Sequence, residues 1–121
     1  MAEEYKNIEI SDGVIKEIAI RSIEEFLGDV SSKVIKKIRK SLDVTRNPDD
    51  SLVIEFKIDV PYGESIPEYV SKLTEKVKHD VEMMTSMKVE SINVTVENVF
   101  EKEEELEEEP EEIKEDEEKK E

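Results

Sequence analysis

The 121-residue chain has no cysteine and no tryptophan, and it holds only three glycines, three phenylalanines and three tyrosines. The absence of cysteine excludes a disulfide framework, a thiolate metal site and a thiol nucleophile, and it fits a reducing compartment. The glycines stand at positions 13, 28 and 63, so there is no phosphate-cradling loop, no Walker motif and no G-x-x-G of a KH domain. We therefore expect an aliphatic core and no nucleotide chemistry.

Long apolar runs are also missing. The first six residues, MAEEYK, have neither a basic n-region nor an apolar h-region, and no run approaches the roughly 18 apolar residues of a membrane span. We expect a chain that is neither exported by a usual signal nor membrane-spanning. Its expected location is the cytoplasm.

Negative charge is abundant but unevenly distributed. The formal net charge is −16, and residues 101–121 contribute 14 acidic and 4 basic side chains, which leaves a net charge of −6 for residues 1–100. Non-specific nucleic acid binding depends on Lys and Arg that displace counterions from phosphates, so we expect no nucleic acid partner. The length and the charge shift predict one domain over residues 1–100, followed by an acidic low-complexity tail over 101–121.

The tail cannot bury a core of its own. Its only aliphatic residues are Leu106 and Ile113, with Pro110 between them. Composition favours a disordered segment that adds solubility. The alternative is an acidic segment that competes for a basic patch of its own or of another chain.

A strand–helix–strand pattern organises residues 51–100. Apolar and polar residues alternate from Leu52 to Val60, which is typical of a strand with one buried face. From Ile66 to Met84 the apolar spacing becomes helical, and Ser65 with Glu68 forms a capping box at the start. Alternation returns at Ile92, Val94 and Val96. The crossover is long enough for the two strands to be parallel.

The first half of the chain repeats a strand and a helix. Ile8 and Ile10 predict a short first strand over residues 7–10, and Ser11 caps a helix that Gly28 ends. The apolar face of that helix comprises Val14, Ile15, Ile18, Ala19, Ser22, Ile23, Phe26 and Leu27. The predicted fold is a two-layer α+β sandwich, in which a small three- to four-stranded mixed sheet carries two main helices on one face.

A short basic amphipathic segment follows at residues 33–42. Val34, Ile35, Ile38 and Leu42 form an apolar stripe, and the five flanking basic residues are Lys33, Lys36, Lys37, Arg39 and Lys40. The simple interpretation is a surface helix that covers a sheet edge and keeps its cations in water. The functional interpretation is a docking face for an acidic partner or an anionic membrane. Ten residues without an aromatic anchor predict at most weak direct membrane contact.

Catalytic residues are scarce. His79 is the only histidine and falls on the predicted solvent face, where no second His or Cys completes a zinc or nucleophile set. Carboxylate pairs such as Glu24/Glu25 and Asp49/Asp50 fall on wet faces and loops, where nothing raises a pKa for acid catalysis. We expect no catalytic residue, no metal site and no cofactor, and hence no enzyme.

Three blocks of the chain resemble the alkaline shock protein or Gls-type family of envelope stress-response proteins. The first block is IEISDGVIKEIA at residues 8–19, the second is YGESIP at 62–67 with its helix, and the third is MTSMKVESINVTV at 84–96. The chain departs from the family pattern at Ser86, where Gly is usual, and at Arg21-Ser22, where small residues are usual. Its basic 33–42 segment also stands where the family is commonly Gly-rich.

The resemblance implies a non-enzymatic cytoplasmic protein of envelope homeostasis, held at the inner face of the membrane by a membrane-anchored relative. Some members are linked to fatty-acid synthesis, so a regulatory subunit of that process is one alternative. From the residues alone, the competing class is a small KH-like RNA-binding module, and the missing G-x-x-G and the negative net charge count against it. The family carries no established catalytic residues.

Together with the absence of a catalytic set, the resemblance implies a binding module with a second set of partner contacts on the polar faces of the two main helices. A small open sheet has an edge that another chain can complete, and the adjoining helix faces would then select the partner. We expect self-association into a homo-oligomer, or assembly with the membrane-anchored relative, through the sheet edge and Arg21, Glu24, Glu25, Lys72 and Glu75.

Overall fold

The computed structural model describes residues 8–101 and confirms the α+β fold with an open mixed sheet. Within that range the elements in chain order are α1 (Asp12–Leu27), α2 (Ser32–Ser41), β1 (Asp43–Arg46), β2 (Leu52–Pro61), α3 (Ile66–Thr85) and β3 (Val89–Phe100). The acidic segment 102–121 and residues 1–7 lie outside the described residues. The expectation that the tail is disordered therefore stays a prediction.

The strand order is β1-β2-β3, with β2 in the centre. β1 runs antiparallel to β2, and β3 runs parallel to it, as the α3 crossover predicted. The register of β2 with β3 shifts between Leu52 and Val53 and again between Ile58 and Asp59, which marks two irregularities of the β-bulge type. The long uninterrupted ladder lies between these two points.

Alternation along β2 produces the core. Leu52, Ile54, Phe56, Ile58 and Val60 are all buried, while Glu55 and Lys57 between them are exposed. The helices supply the second layer, through side chains such as Ile15 and Val77 that have no exposed surface. The opposite face of the sheet carries polar side chains in water. This two-layer arrangement confirms the one that the sequence predicted.

Local signals at the helix ends agree with the sequence. The Ser11, Ser31 and Ser65 side chains each accept a hydrogen bond from the backbone N–H three residues later. α3 ends at Ser86, which adopts the left-handed conformation with φ 63°. A glycine would occupy this conformation without a Cβ penalty, so Ser86 is a strained position at the end of α3.

The prediction of a short first strand over residues 7–10 is wrong for residues 8–10, the part of it that the structure describes. Residues 8–10 are irregular, and Ile8 is exposed while Ile10 packs against the core. The Ile10 carbonyl accepts a hydrogen bond from the Arg46 guanidinium. The third strand is β1 instead, which the sequence analysis missed.

The predicted apolar stripes extend too far at their ends. Val14 of α1 is 50% exposed, and Ile66 and Met84 of α3 are 39% and 63% exposed. The first turn of α3 projects beyond the core, whereas Val14 and Met84 lie at the margin of the buried face, next to the buried Ile15 and Thr85. Ile20 of α1, which the predicted stripe leaves out, is buried.

Candidate functional site

α1 and α3 run antiparallel and are joined by a polar network on their outer side. The buried Ser22 hydroxyl donates a 2.7 Å hydrogen bond to Asp80 Oδ2. The Lys76 ammonium donates to Asp80 Oδ2 at 2.9 Å and to Glu25 Oε1 at 2.8 Å. Farther along, the Phe26 and Tyr69 rings meet edge to face with their centroids 5.3 Å apart. These contacts fix the register between the two helices.

The network holds its charged groups in their ionised forms. The hydrogen bond from Ser22, together with the one from Lys76, lowers the pKa of the Asp80 carboxyl below its usual value. The hydrogen bonds of Lys76 to Glu25 and Asp80 raise the pKa of its ammonium. The Asp80 side chain is only 20% exposed, so water screens the Asp80–Lys76 pair less than it screens the other ion pairs of the surface.

A groove opens beside this network. It has a volume of about 420 Å³ and runs between α1 and α3, where the predicted contacts Arg21 and Glu25 stand opposite Met83 and Met84. Both methionines are 63% exposed. Methionine adapts its shape to irregular partners and is common on promiscuous binding surfaces. We call this feature the α1/α3 groove.

α1 also contacts α2 through ion pairs. The Arg39 guanidinium lies 2.6 Å from Glu17 Oε1, and Arg21 Nε lies 2.9 Å from Glu17 Oε2. The hydrogen bond from Arg39, followed by that from Arg21, lowers the pKa of Glu17 to about 2. Arg39 therefore connects two helices, although the sequence analysis grouped it with the outward-facing cations of α2.

The remaining candidates on the helix faces are exposed but not gathered into one site. The hydrogen bond to Glu17 raises the pKa of the Arg39 guanidinium, and the nearby charge of Glu24 acts in the same direction. Lys72 and Glu75 lie on the exposed side of α3, before the Lys76 network in the chain and outside the lining of the groove. The structure thus brings Arg21 and Glu25 together with the two methionines and leaves the other three candidates apart.

The four lysines of α2 form one exposed stripe. Lys33, Lys36, Lys37 and Lys40 follow the i, i+3, i+4, i+7 spacing of a single helix face, and all are exposed. Lys37 Nζ lies 3.4 Å from Asp59 Oδ2 across the end of β2. Lys36 and Lys40 form no ion pair with the residues that the structure describes. We call these four residues the lysine stripe.

The outer edge of β3 is the second surface that a partner could use. β3 pairs with β2 on one side, and no strand of the described chain pairs with it on the other. Between the two register shifts lies the segment SINVTV, residues 91–96, which contains no charged residue. Charges and bulges normally protect a sheet edge, and here they occur only toward the ends of the strand.

Within residues 8–101, no group of three or more His, Cys, Asp or Glu side chains is arranged to hold a metal ion. His79 is exposed, as the sequence predicted. The helices of the described range are too short or too polar to cross a membrane.

Sequence reasoning missed the residues that tie the helices together. Ser22 was placed on the apolar face, but its partner Asp80 is 58 residues away in the chain. The i,i+4 spacing of Lys76 and Asp80 was the one local signal available. The exposed methionines were assigned to the core stripe or left unassigned.

A family model described as ASP23 family, cell envelope-related function, matches residues 1–101. The match spans the whole described core and stops where the acidic segment begins.

Proposed function

Because the chain belongs to the alkaline shock protein (ASP23) family, whose function is cell envelope-related, we propose that it is a non-enzymatic binding protein that scaffolds envelope components. In this proposal it associates with further copies of itself and with a membrane-anchored relative that carries a similar domain. It would then reside in the cytoplasm, at the inner face of the membrane. The observation that carries the proposal is the open edge of β3, whose central segment 91–96 carries no charged residue.

An open edge presents backbone N–H and C=O groups in a row, and a second strand satisfies them at little conformational cost. Two copies that pair edge to edge about a two-fold axis use the same patch twice, which is the commonest route to a dimer. The β-branched Val94, Thr95 and Val96 favour such pairing by their strand propensity. The same edge accepts a β-strand of a related domain, so one geometry serves both partners.

The α1/α3 groove supports the proposal as a separate surface. It lies on the helix layer, so occupation of the groove leaves the sheet edge available. Its methionines supply apolar contact, while Arg21 and Glu25 at its rim supply charge selection. A protein with two such surfaces connects partners rather than only pairing with one. This bridging is what a scaffold requires.

Substitution at Thr95 tests the role of the edge. Thr95 is exposed and lies opposite Lys57 on β2. In Thr95→Glu the new carboxylate faces the Lys57 ammonium, so the substitution leaves the fold intact. In a dimer paired through the β3 edges, the same substitution brings the new carboxylates of the two chains near each other, where they repel. We expect the dimer dissociation constant, measured by sedimentation equilibrium, to rise by about tenfold, equivalent to ~1.4 kcal/mol.

Ser71→Glu on exposed α3 is the matched control, since it adds the same charge far from the edge. Equal effects of the two substitutions would show that overall charge, not the edge, controls association. A wild-type chain that stays monomeric at every concentration would contradict self-association. Fractionation of native cells, with and without the membrane-anchored relative, tests the other partner. The chain should sediment with membranes only when that relative is present.

A further inference from the structure

The acidic segment that follows β3 leaves the core close to the lysine stripe. Phe100, the last residue of β3, lines a small cavity of about 40 Å³ together with Val34, Lys37 and Ile38 of α2. The Phe100 carbonyl accepts a 2.8 Å hydrogen bond from the Tyr62 backbone N–H, which fixes the point of departure. The chain after Glu101 therefore starts beside α2, the most basic of the helices in residues 8–101.

Charge and length are complementary. α2 carries five basic residues and no acidic one, and residues 101–121 carry a net charge of −10. Twenty residues after Glu101 reach up to about 65 Å when extended, whereas a helix of ten residues is only about 15 Å long. The segment is thus long enough to lie along the entire stripe and return.

Three cations of the stripe have few ion-pair partners among residues 8–101. Lys37 lies 3.4 Å from Asp59, and Lys36 and Lys40 form no ion pair in that range. Each exposed ion pair contributes little alone, but several formed by a tethered segment add together. Tethering also places the segment at an effective concentration in the millimolar range, which favours it over acidic proteins present at lower concentrations.

We propose that residues 101–121 dock on the lysine stripe of their own chain and act as a removable cover for α2. The cover screens the lysines from anionic lipid and from acidic proteins. It is displaced when a multivalent anionic surface outcompetes it or when high salt screens it. The occupant is the chain's own segment, because the exit at Phe100 and the tether favour it over the same segment of another copy.

Lysine acylation on the full chain measures the cover directly. The variant replaces six tail glutamates by Gln, at Glu103, Glu104, Glu105, Glu107, Glu108 and Glu109. Acylation of Lys36 and Lys40 by an N-hydroxysuccinimide ester should be about threefold or more faster in this variant than in the wild type at low salt. At about 1 M NaCl the two rates should coincide, because the Debye length falls to about 3 Å.

Lys72 and Lys78 on exposed α3 are internal controls, and their rates should change little between the two chains. Uniform acceleration of all exposed lysines would reflect net charge alone and would overturn the proposal. Unchanged rates at Lys36 and Lys40 would overturn it as well.

A second experiment identifies the occupant. Equal amounts of ¹⁵N-labelled and unlabelled full chain are mixed and treated with a carbodiimide, which joins lysine amines to carboxylates in contact. Links from the stripe to residues 101–121 should join fragments of the same isotope. Mixed-isotope links in statistical proportion would assign the segment to a neighbouring copy and contradict docking within one chain. The absence of any such link would contradict docking altogether.

Discussion

The Ser22 hydroxyl donates a 2.7 Å hydrogen bond to the Asp80 carboxylate, and this contact joins α1 to α3 across 58 positions of sequence. Ser22 is 2% exposed, so its hydroxyl has no access to bulk water as a substitute partner. Buried polar groups stabilise a fold when they are paired and destabilise it when one partner is removed. The pair therefore holds the wall of the α1/α3 groove in register.

Ser22→Ala should lower the free energy of unfolding by about 1 kcal/mol, because it removes a charge-assisted hydrogen bond and leaves Asp80 with Lys76 alone. For a domain of this size the melting temperature should fall by about 4–8 °C. Glu75→Gln on the exposed side of α3 serves as the control and should change the melting temperature by less than about 2 °C. A Ser22→Ala variant as stable as the wild type would show that the contact is dispensable.

Acid should weaken the same contact. The pKa of Asp80 is lowered by Ser22 and then Lys76, and that of Glu17 is lowered to about 2 by Arg39 and then Arg21. A carboxylate with a depressed folded-state pKa stabilises the fold above its unfolded pKa of about 4, and this stability is lost as pH falls through the folded value. The stability difference between wild type and Asp80→Asn should therefore be full at pH 6 and shrink toward pH 2.

Denaturant unfolding of the two chains from pH 6 to pH 2 provides the measurement. The comparison with a variant cancels the titration of carboxylates that the substitution does not touch. A stability difference that is constant over the whole range would contradict the assigned pKa shift. A difference that grows in acid would have the wrong sign.

Replacement of Ser86 by glycine should stabilise the fold. It ends α3 with φ 63° and ψ 16°, a left-handed conformation that costs a residue with a Cβ about 1 kcal/mol. Ser86→Gly relieves this strain, and part of the gain is offset by the greater freedom of glycine in the unfolded chain. We expect a net gain of about 0.5 kcal/mol, read as a higher denaturant midpoint at unchanged slope. Ser86→Ala, which keeps the Cβ, should give no gain.

Two isoleucines separate the true core from the over-extended stripe. Ile54 on β2 has no exposed surface, whereas Ile66 at the start of α3 is 39% exposed. Ile54→Val should cost about 0.5–1.5 kcal/mol in unfolding free energy. Ile66→Val removes the same methyl group from a half-wet position and should cost no more than a few tenths of a kcal/mol. Equal costs would show that the first turn of α3 is packed as tightly as the central strand.

Periodicity predicted the elements whose environment is set within a few residues. The alternation from Leu52 to Val60, the stripe through Leu73 and Val77, and the serine caps all reflect local geometry, and each is observed. β1 escaped detection because it has only four residues, with just Val44 half-buried, and it becomes a strand by pairing with β2. Ile8 and Ile10 show the alternation of a strand, but residues 8–10 do not pair with any strand of the described chain. The strand predicted at 7–10 was therefore wrong.

The site was predictable only in part. The exposure of Arg21, Glu25 and the α2 lysines follows from the helical wheel, and the structure agrees. The Lys76–Asp80–Ser22 network and the cavity beside Phe100 depend on how distant helices and strands pack together. No pattern within one element of the sequence encodes such contacts.

The binding role of the β3 edge is tested most directly by photo-crosslinking in the native cells. A photoreactive amino acid replaces Thr95 on the open edge in one full-length chain and Ser71 on α3 in another. We predict that position 95 yields adducts with a second copy of the chain or with a membrane-anchored protein carrying a related domain, and that position 71 yields neither. Adducts that form equally at both positions, or at neither, would contradict the proposal that this edge assembles the protein at the envelope.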